Sequence, residues 1–267
     1  MFRDRISENI AFLKQELIAS KHFLEKDIVS IMLDGSLIRG DFLDFSSDID
    51  ITITLADETC AEDSKKLVCG LISKQQDKLP KRKYPSKPLI YDLQWQNMNL
   101  VKETGQRKIE EWSNKNIPSG YPKLWLYSFD LVKFHEVIFG LDVTDFYTKI
   151  HPVEFVPLRL KRIYDSALAC KGEKTDYETA TGAVTQIKNA WESIRCLCIL
   201  NDNMTINKND VYEFASKYFI KDELRVISEL KSYYMENDGS KLFSGDFRKR
   251  LSDFTLKIIK RSGATGN

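Results

Sequence analysis

The chain has no excess of either charge: 40 Lys and Arg stand against 39 Asp and Glu in 267 residues. A dedicated nucleic-acid binder should show a basic excess, so the balance argues against that class. No positively charged and apolar leader opens the sequence, and no apolar run approaches the length that spans a bilayer. The five cysteines are an odd number with no metal-like spacing. Cys196 and Cys198 fall on different faces of an expected helix and read as core thiols, which fits a reducing cytoplasm. Without a secretory leader, Asn203-Met204-Thr205 is a chance glycosylation sequon. His22, His135 and His151 have no partner spacing. The sequence also lacks Gly-x4-Gly-Lys-Ser/Thr, Gly-x-Gly-x-x-Gly after a strand, His-Glu-x-x-His and Gly-x-Ser-x-Gly, which removes the common nucleotide-loop, zinc-protease and serine-hydrolase templates. There is no internal repeat and no low-complexity segment.

What the sequence does contain is one organising stretch. Ile28-Val29-Ser30-Ile31-Met32-Leu33 is a β-branched, apolar run that predicts a buried strand. Gly35-Ser36 breaks it, and Leu37 and Ile38 suit a short helix. Such a turn aims backbone N–H groups and a hydroxyl at one spot, a cradle for phosphate. Arg39 lies near that turn and is a candidate phosphate ligand, although it has an equal option of facing solvent. A second strand begins at Asp48. Alternation across it puts Asp48 and Asp50 on one face and Ile49, Ile51 and Ile53 on the other. Two adjacent carboxylates beyond a phosphate cradle make a site for a hard divalent cation that also holds phosphate.

Further elements follow from periodicity. Ile6, Ile10, Leu13 and Leu17 recur at helical spacing within residues 3–25, and Leu67, Leu71 and Ile72 mark the inner face of a helix over 61–76. Residues 81–88 are basic and proline-punctuated, hence a loop. Leu89 to Gln96 alternates and predicts a third strand carrying Asp92. A carboxylate between Ile90 and Leu93 reads either as a catalytic group or as a polar-face residue opposite Tyr91. Leu124 to Gly140 predicts a long helix with Gly140 as its C-cap. Pro152 and Pro157 mark a passage, with the boundary near residue 150. Beyond it the pattern is helical throughout, in segments 156–171, 177–201, 209–219, 222–235 and 243–259, before a disordered tail.

Gly35-Ser36, a spacer, and then Asp48-x-Asp50 inside an apolar strand resembles the nucleotidyltransferase signature of the DNA polymerase beta superfamily, and more closely its small-molecule adenylyltransferases. Val137-Ile138-Phe139-Gly140 is similar to the ending of the helix that closes the transfer domain there. In the second half, Ala190-Trp191-Glu192-Ser193-Ile194-Arg195 followed by Asn207-Lys208-Asn209-Asp210-Val211 and Phe214-Ala215 resembles the helical domain of the streptomycin/spectinomycin-type adenylyltransferases. The resemblance implies an α+β fold: a nucleotidyltransferase domain of mixed sheet and flanking helices over 1–150, an all-helical bundle over 151–262, and a tail over 263–267. It implies Asp92 as the third acidic residue beside Asp48 and Asp50, with all three catalytic and metal-binding. It places Lys208 on the nucleotide, reaching the triphosphate from the start of a helix, beside the Gly35 and Ser36 of the phosphate turn and the nearby candidate Arg39. Arg195 matches the family's arginine, or else forms a structural salt bridge. The Arg-x4-His of the helical RNases found beside small nucleotidyltransferases is absent, since Leu200 stands five residues after Arg195.

The implied activity is Mg²⁺-dependent transfer of AMP from ATP to a hydroxyl of a small polar molecule, an aminoglycoside-like antibiotic for example, with no nucleic-acid or membrane partner. Residues 151–267 carry more Lys and Arg than Asp and Glu, so bulk composition does not itself favour a polycationic acceptor. The other reading is a protein-modifying enzyme, or a silent nucleotide-binding regulator.

Overall fold

The computed structural model describes residues 2–42, 44, 47–57, 61–81, 89–106, 130–147, 152–172, 180–201, 208–236 and 245–263. The chain falls into two compact units, one from Met1–Lys108 and Tyr127–Lys149, the other from Ile109–Leu126 and Ile150–Asn267.

The first unit opens with α1 (Phe2–Ala19) and a single turn, α2 (Lys21–Leu24). Strand β1 (Ile28–Asp34) follows and runs directly into the short helix α3 (Gly35–Arg39). Then come β2 (Ile49–Leu55), α4 (Glu62–Gln76), β3 (Tyr91–Asn97) and α5 (Met98–Gln106). After a helical end at 130–133, β4 (Glu136–Gly140) and a 3-10 turn at Thr144–Phe146 close the unit. The four strands lie in the order β3-β2-β1-β4. β1 is antiparallel to both β2 and β4, and β2 is parallel to β3, so the sheet is mixed.

Each face of this sheet has its own cover. Ile31, Leu33, Ile49, Ile51 and Ile53 pack with Ile6, Leu13 and Leu17 of α1 and with Val68 and Ile72 of α4 in one apolar core. These are the positions that 3.6-residue and two-residue periodicities bring to one side of a helix and a strand. A buried polar contact spans the same layer: the Tyr91 hydroxyl donates to Asn9, whose amide donates to the Gln75 carbonyl at 3.0 Å. On the opposite face Met32 packs with Val101, Leu131, Val143 and Tyr147.

The expected helix over Leu124–Gly140 is corrected. Residues 121–129 lie outside the described part, helix is present at 130–133, and Glu136–Gly140 is a strand. The cause is the open edge of β1, whose backbone groups need a second partner once β2 has taken the first edge. Val137 and Phe139 supply one, pairing with Met32 and Ile31, and both residue types suit a pleated surface. Gly140 is therefore not a helix cap. Its φ is 79°, and a Cβ there would lie 2.2 Å from the Val29 carbonyl oxygen, so glycine is demanded by strand contact. The sheet has four strands where the sequence suggested three.

The described elements of the second unit are all helices: α6 (Pro152–Gly172), α7 (Ala180–Leu200), α8 (Lys208–Ala215), α9 (Lys221–Glu236) and α10 (Gly245–Arg261). Val156, Leu160 and Ile163 of α6 pack with Cys196 and Ile199 of α7 and Ile259 of α10. Cys196 is a buried thiol, as its sequence position suggested. Among the described residues no helix is long and apolar enough to cross a membrane.

Candidate active site

Three strands bring three aspartates into one line. Asp34 ends β1 and lies opposite Asp50 of β2, and Asp50 lies opposite Asp92 of β3. Residues opposed in a ladder share a face, so the three carboxyls form a row across adjacent strands. Asp48 is 8% exposed and comes just before β2. Asp92, on the outer strand, is exposed. Asp48, Asp50 and Asp92 were legible as candidates; Asp34 was not, because only the pairing register reveals it.

The turn after β1 is shaped around this row. Gly35 has φ 70°, and a Cβ there would sit 1.9 Å from Asp50 Oδ2. Glycine thus serves twice, allowing the left-handed backbone and leaving room for the carboxylate. Ser36 begins the buried side of α3 and is 7% exposed. Asp34 sits at the position that normally caps a helix, yet its side chain makes no bond to α3. It instead accepts a 2.6 Å hydrogen bond from the Thr52 hydroxyl.

Arg39 is neither solvent-facing nor loosely placed. Its Nε donates to Asp41 and its Nη1 to Asp130, each at 3.2 Å, and the side chain is 8% exposed. Asp41 and Asp130 are themselves buried, and neither stood out in the sequence. Deeper along the same face, the Gln96 amide donates to the Thr54 hydroxyl and to the Tyr147 hydroxyl. His135 binds the Leu131 carbonyl at 2.8 Å and Asp142 at 3.0 Å, a structural contact at the helix end.

The row is electrostatically strained. Burial pushes the Asp50 carboxyl up to about 7, helped by the charges of Asp34, Asp92 and Asp48 and partly offset by Arg39. Asp34 rises to about 6, also through burial, against the Thr52 hydrogen bond and the Arg39 charge. Among the described residues no three ligating side chains form a ready-made metal cage. Mg²⁺ does not need one: it binds through one or two carboxylates, with substrate phosphates and water completing the shell. A hard-oxygen donor set whose members raise one another's pKa fits such an ion.

The residues of the second unit stand as follows. Lys208 is the first residue of α8, so the expected helix start is present, while its side chain lies outside the described part. Arg195 is 1% exposed, lies 3.7 Å from Glu192 on the same helix, and stacks 5.7 Å from the Trp191 ring centroid. Glu192 in turn meets Arg159 of α6 at 3.6 Å. The expected basic loop at 81–88 falls outside the described part after Lys81, as do the last four residues of the tail.

No family model matches the chain, and no curated protein matches it. Among solved structures it is similar to a spectinomycin adenyltransferase from Enterococcus faecialis, determined with ATP and spectinomycin, at a TM-score of 0.62 and 14% identity. The match covers 97% of this chain and 100% of that one. At that identity the likeness is one of architecture, and it gives this chain a nucleotidyltransferase-like fold: a mixed sheet with flanking helices followed by a helical region.

Proposed function

We propose that the protein is a nucleotidyltransferase that moves AMP from ATP to a hydroxyl of a small polar acceptor, with an aminoglycoside-like antibiotic as the leading acceptor class. One observation carries the reading: Asp50 stands between Asp34 and Asp92 on one sheet face, and Gly35 of the strand-ending turn is packed against its carboxylate. A carboxylate packed against a strand-ending turn suits phosphoryl chemistry, in which the turn would take phosphate and the carboxylate its counter-ion. The likeness in fold to an enzyme determined with ATP and spectinomycin supports it.

Little covalent help is needed in such a reaction, and positioning with charge neutralisation carries the rate. The acceptor oxygen forms a bond to the α-phosphorus, the bond to the bridging oxygen breaks, and pyrophosphate leaves. Asp92 is the exposed member of the row, so it is the carboxylate placed to accept the hydroxyl proton or to orient that oxygen. Ser36 and the backbone N–H groups after Gly35 bind phosphate. Lys208 is the candidate phosphate ligand of the helical unit. Asp48 and Asp50 would hold Mg²⁺, with Asp92 as the acidic residue beside them, and the ion when bound would supply neutralisation of phosphate charge.

The test is a screen of polar hydroxyl compounds for ATP-dependent pyrophosphate release, with mass spectrometry of the product. Expected is an acceptor heavier by one AMP, formed with Mg²⁺ and not with EDTA. Calorimetry of ATP alone should show tighter binding with Mg²⁺ than with EDTA, because the carboxylates otherwise repel the triphosphate. Equal ATP affinity in both conditions would remove the metal from this reading.

A further inference from the structure

We infer that Asp34 is a positioning residue of the carboxylate row: a fixed negative charge beside Asp50 that draws a divalent cation to it. The inference rests on the nucleotidyl-transfer reading of the row.

The first ground is placement. Asp34 is opposed to Asp50 in the β1–β2 ladder, on the side away from Asp92. Opposed residues in an antiparallel pair have Cβ atoms about 4.5–5.5 Å apart, so this strand position brings a charge close to Asp50. The second ground is orientation. Asp34 has extended backbone, φ −145° and ψ −159°, and occupies a capping position without capping. Its carboxylate is held along the sheet by the Thr52 hydroxyl at 2.6 Å. Asp at a helix start usually turns to the helix N–H groups. Here the side chain is held by Thr52 of the neighbouring strand instead.

The third ground is charge balance. Asp34 faces Asp50 across the ladder, and the guanidinium of Arg39 is already held by Asp41 and Asp130 at 3.2 Å each. Packing does not require a charge at Asp34, since a neutral amide would accept the Thr52 hydroxyl as well. Two half-buried acids that face each other repel unless a cation joins them. In the proposed reading a divalent ion on Asp50 does so.

The experiment measures binding of Mn²⁺ alone to the full chain, without nucleotide, by paramagnetic resonance of the free ion at pH 8. It compares the wild type with Asp34→Asn, Asp34→Glu and Asp50→Asn. Removing a unit charge a few ångströms from the ion should weaken Mn²⁺ about tenfold or more in Asp34→Asn, whereas Asp34→Glu should stay within about threefold of the wild type. A purely structural Asp34 gives the opposite order: Asn keeps the Thr52 hydrogen bond and the shape, while the longer Glu disturbs both. Wild-type affinity in Asp34→Asn, with Asp50→Asn impaired, would overturn the inference and leave the site reading standing. Wild-type affinity in Asp50→Asn would overturn the site reading, and the inference with it. Thermal melting of each variant checks that the fold is intact; Asp34→Asn should melt no lower than the wild type, since it keeps the Thr52 hydrogen bond and removes the charge facing Asp50.

Discussion

Replacing Asp50 by Asn should stabilise the free protein, and by an amount that depends on pH. The Asp50 carboxyl is raised from 3.8 to about 7 by burial first and then by the charges of Asp34, Asp92 and Asp48. An acid whose folded pKa lies above its unfolded value holds its proton more tightly in the folded state. Its ionisation therefore costs nothing below pH 3.8, costs progressively more as pH climbs, and reaches a plateau above about 7. Roughly three pH units at about 1.4 kcal/mol each make that plateau about 4 kcal/mol. Asn has no charge to lose, so it escapes the cost while filling the same space against Gly35. Urea unfolding followed by circular dichroism at pH 4, 6 and 8 measures the gap between variant and wild type. It should be close to zero at pH 4 and widest at pH 8. A gap that is constant with pH, or that shrinks as pH rises, would refute the electrostatic account of the row. In the proposed reading, Mg²⁺ should recover part of the difference by raising the melting temperature of the wild type and not of Asp50→Asn, as a ligand does for the form it binds.

Other outcomes follow from single positions. Asp92→Asn should cut transfer about a hundredfold or more with little change in melting temperature, because the side chain is exposed on an outer strand; wild-type turnover would return Asp92 to a surface role. Lys208→Ala should weaken ATP more than AMP in titrations, since AMP lacks the outer phosphates; equal losses, or none, would make it a plain surface charge. Gly140→Ala should destabilise the first unit by about 2 kcal/mol or more, since φ is 79° and the new Cβ would lie 2.2 Å from the Val29 carbonyl oxygen. A neutral effect in chemical denaturation would mean that β4 yields at that point.

Much of the architecture was readable because it is local. A β-branched run ended by Gly-Ser, with an alternating strand after it, specifies strand, turn and strand through short-range sterics, and the structure has β1, α3 and β2 at those places. Amphipathic spacing located α1 and α4, and the apolar stripes of residues 152–261 located the later helices. Even Asp92 could be singled out, because a carboxylate in an apolar alternation is conspicuous.

Sequence alone located β1, the turn after it, β2, β3 and the helices α1 and α4, since these follow from the two-residue and 3.6-residue repeats of the backbone. Tertiary structure decided what those repeats do not encode. Glu136–Gly140 became a strand because β1 had an unpaired edge, a condition set more than a hundred residues earlier in the chain. Asp34 joined the row only through the register of β1 on β2. Arg39 was drawn inward by Asp130, 91 residues away, and Arg195 was enclosed by its helical neighbours and paired with Glu192. Each of these depends on which backbone edges pair and which charges are buried together, and those are long-range outcomes of the assembled core rather than properties of any one segment.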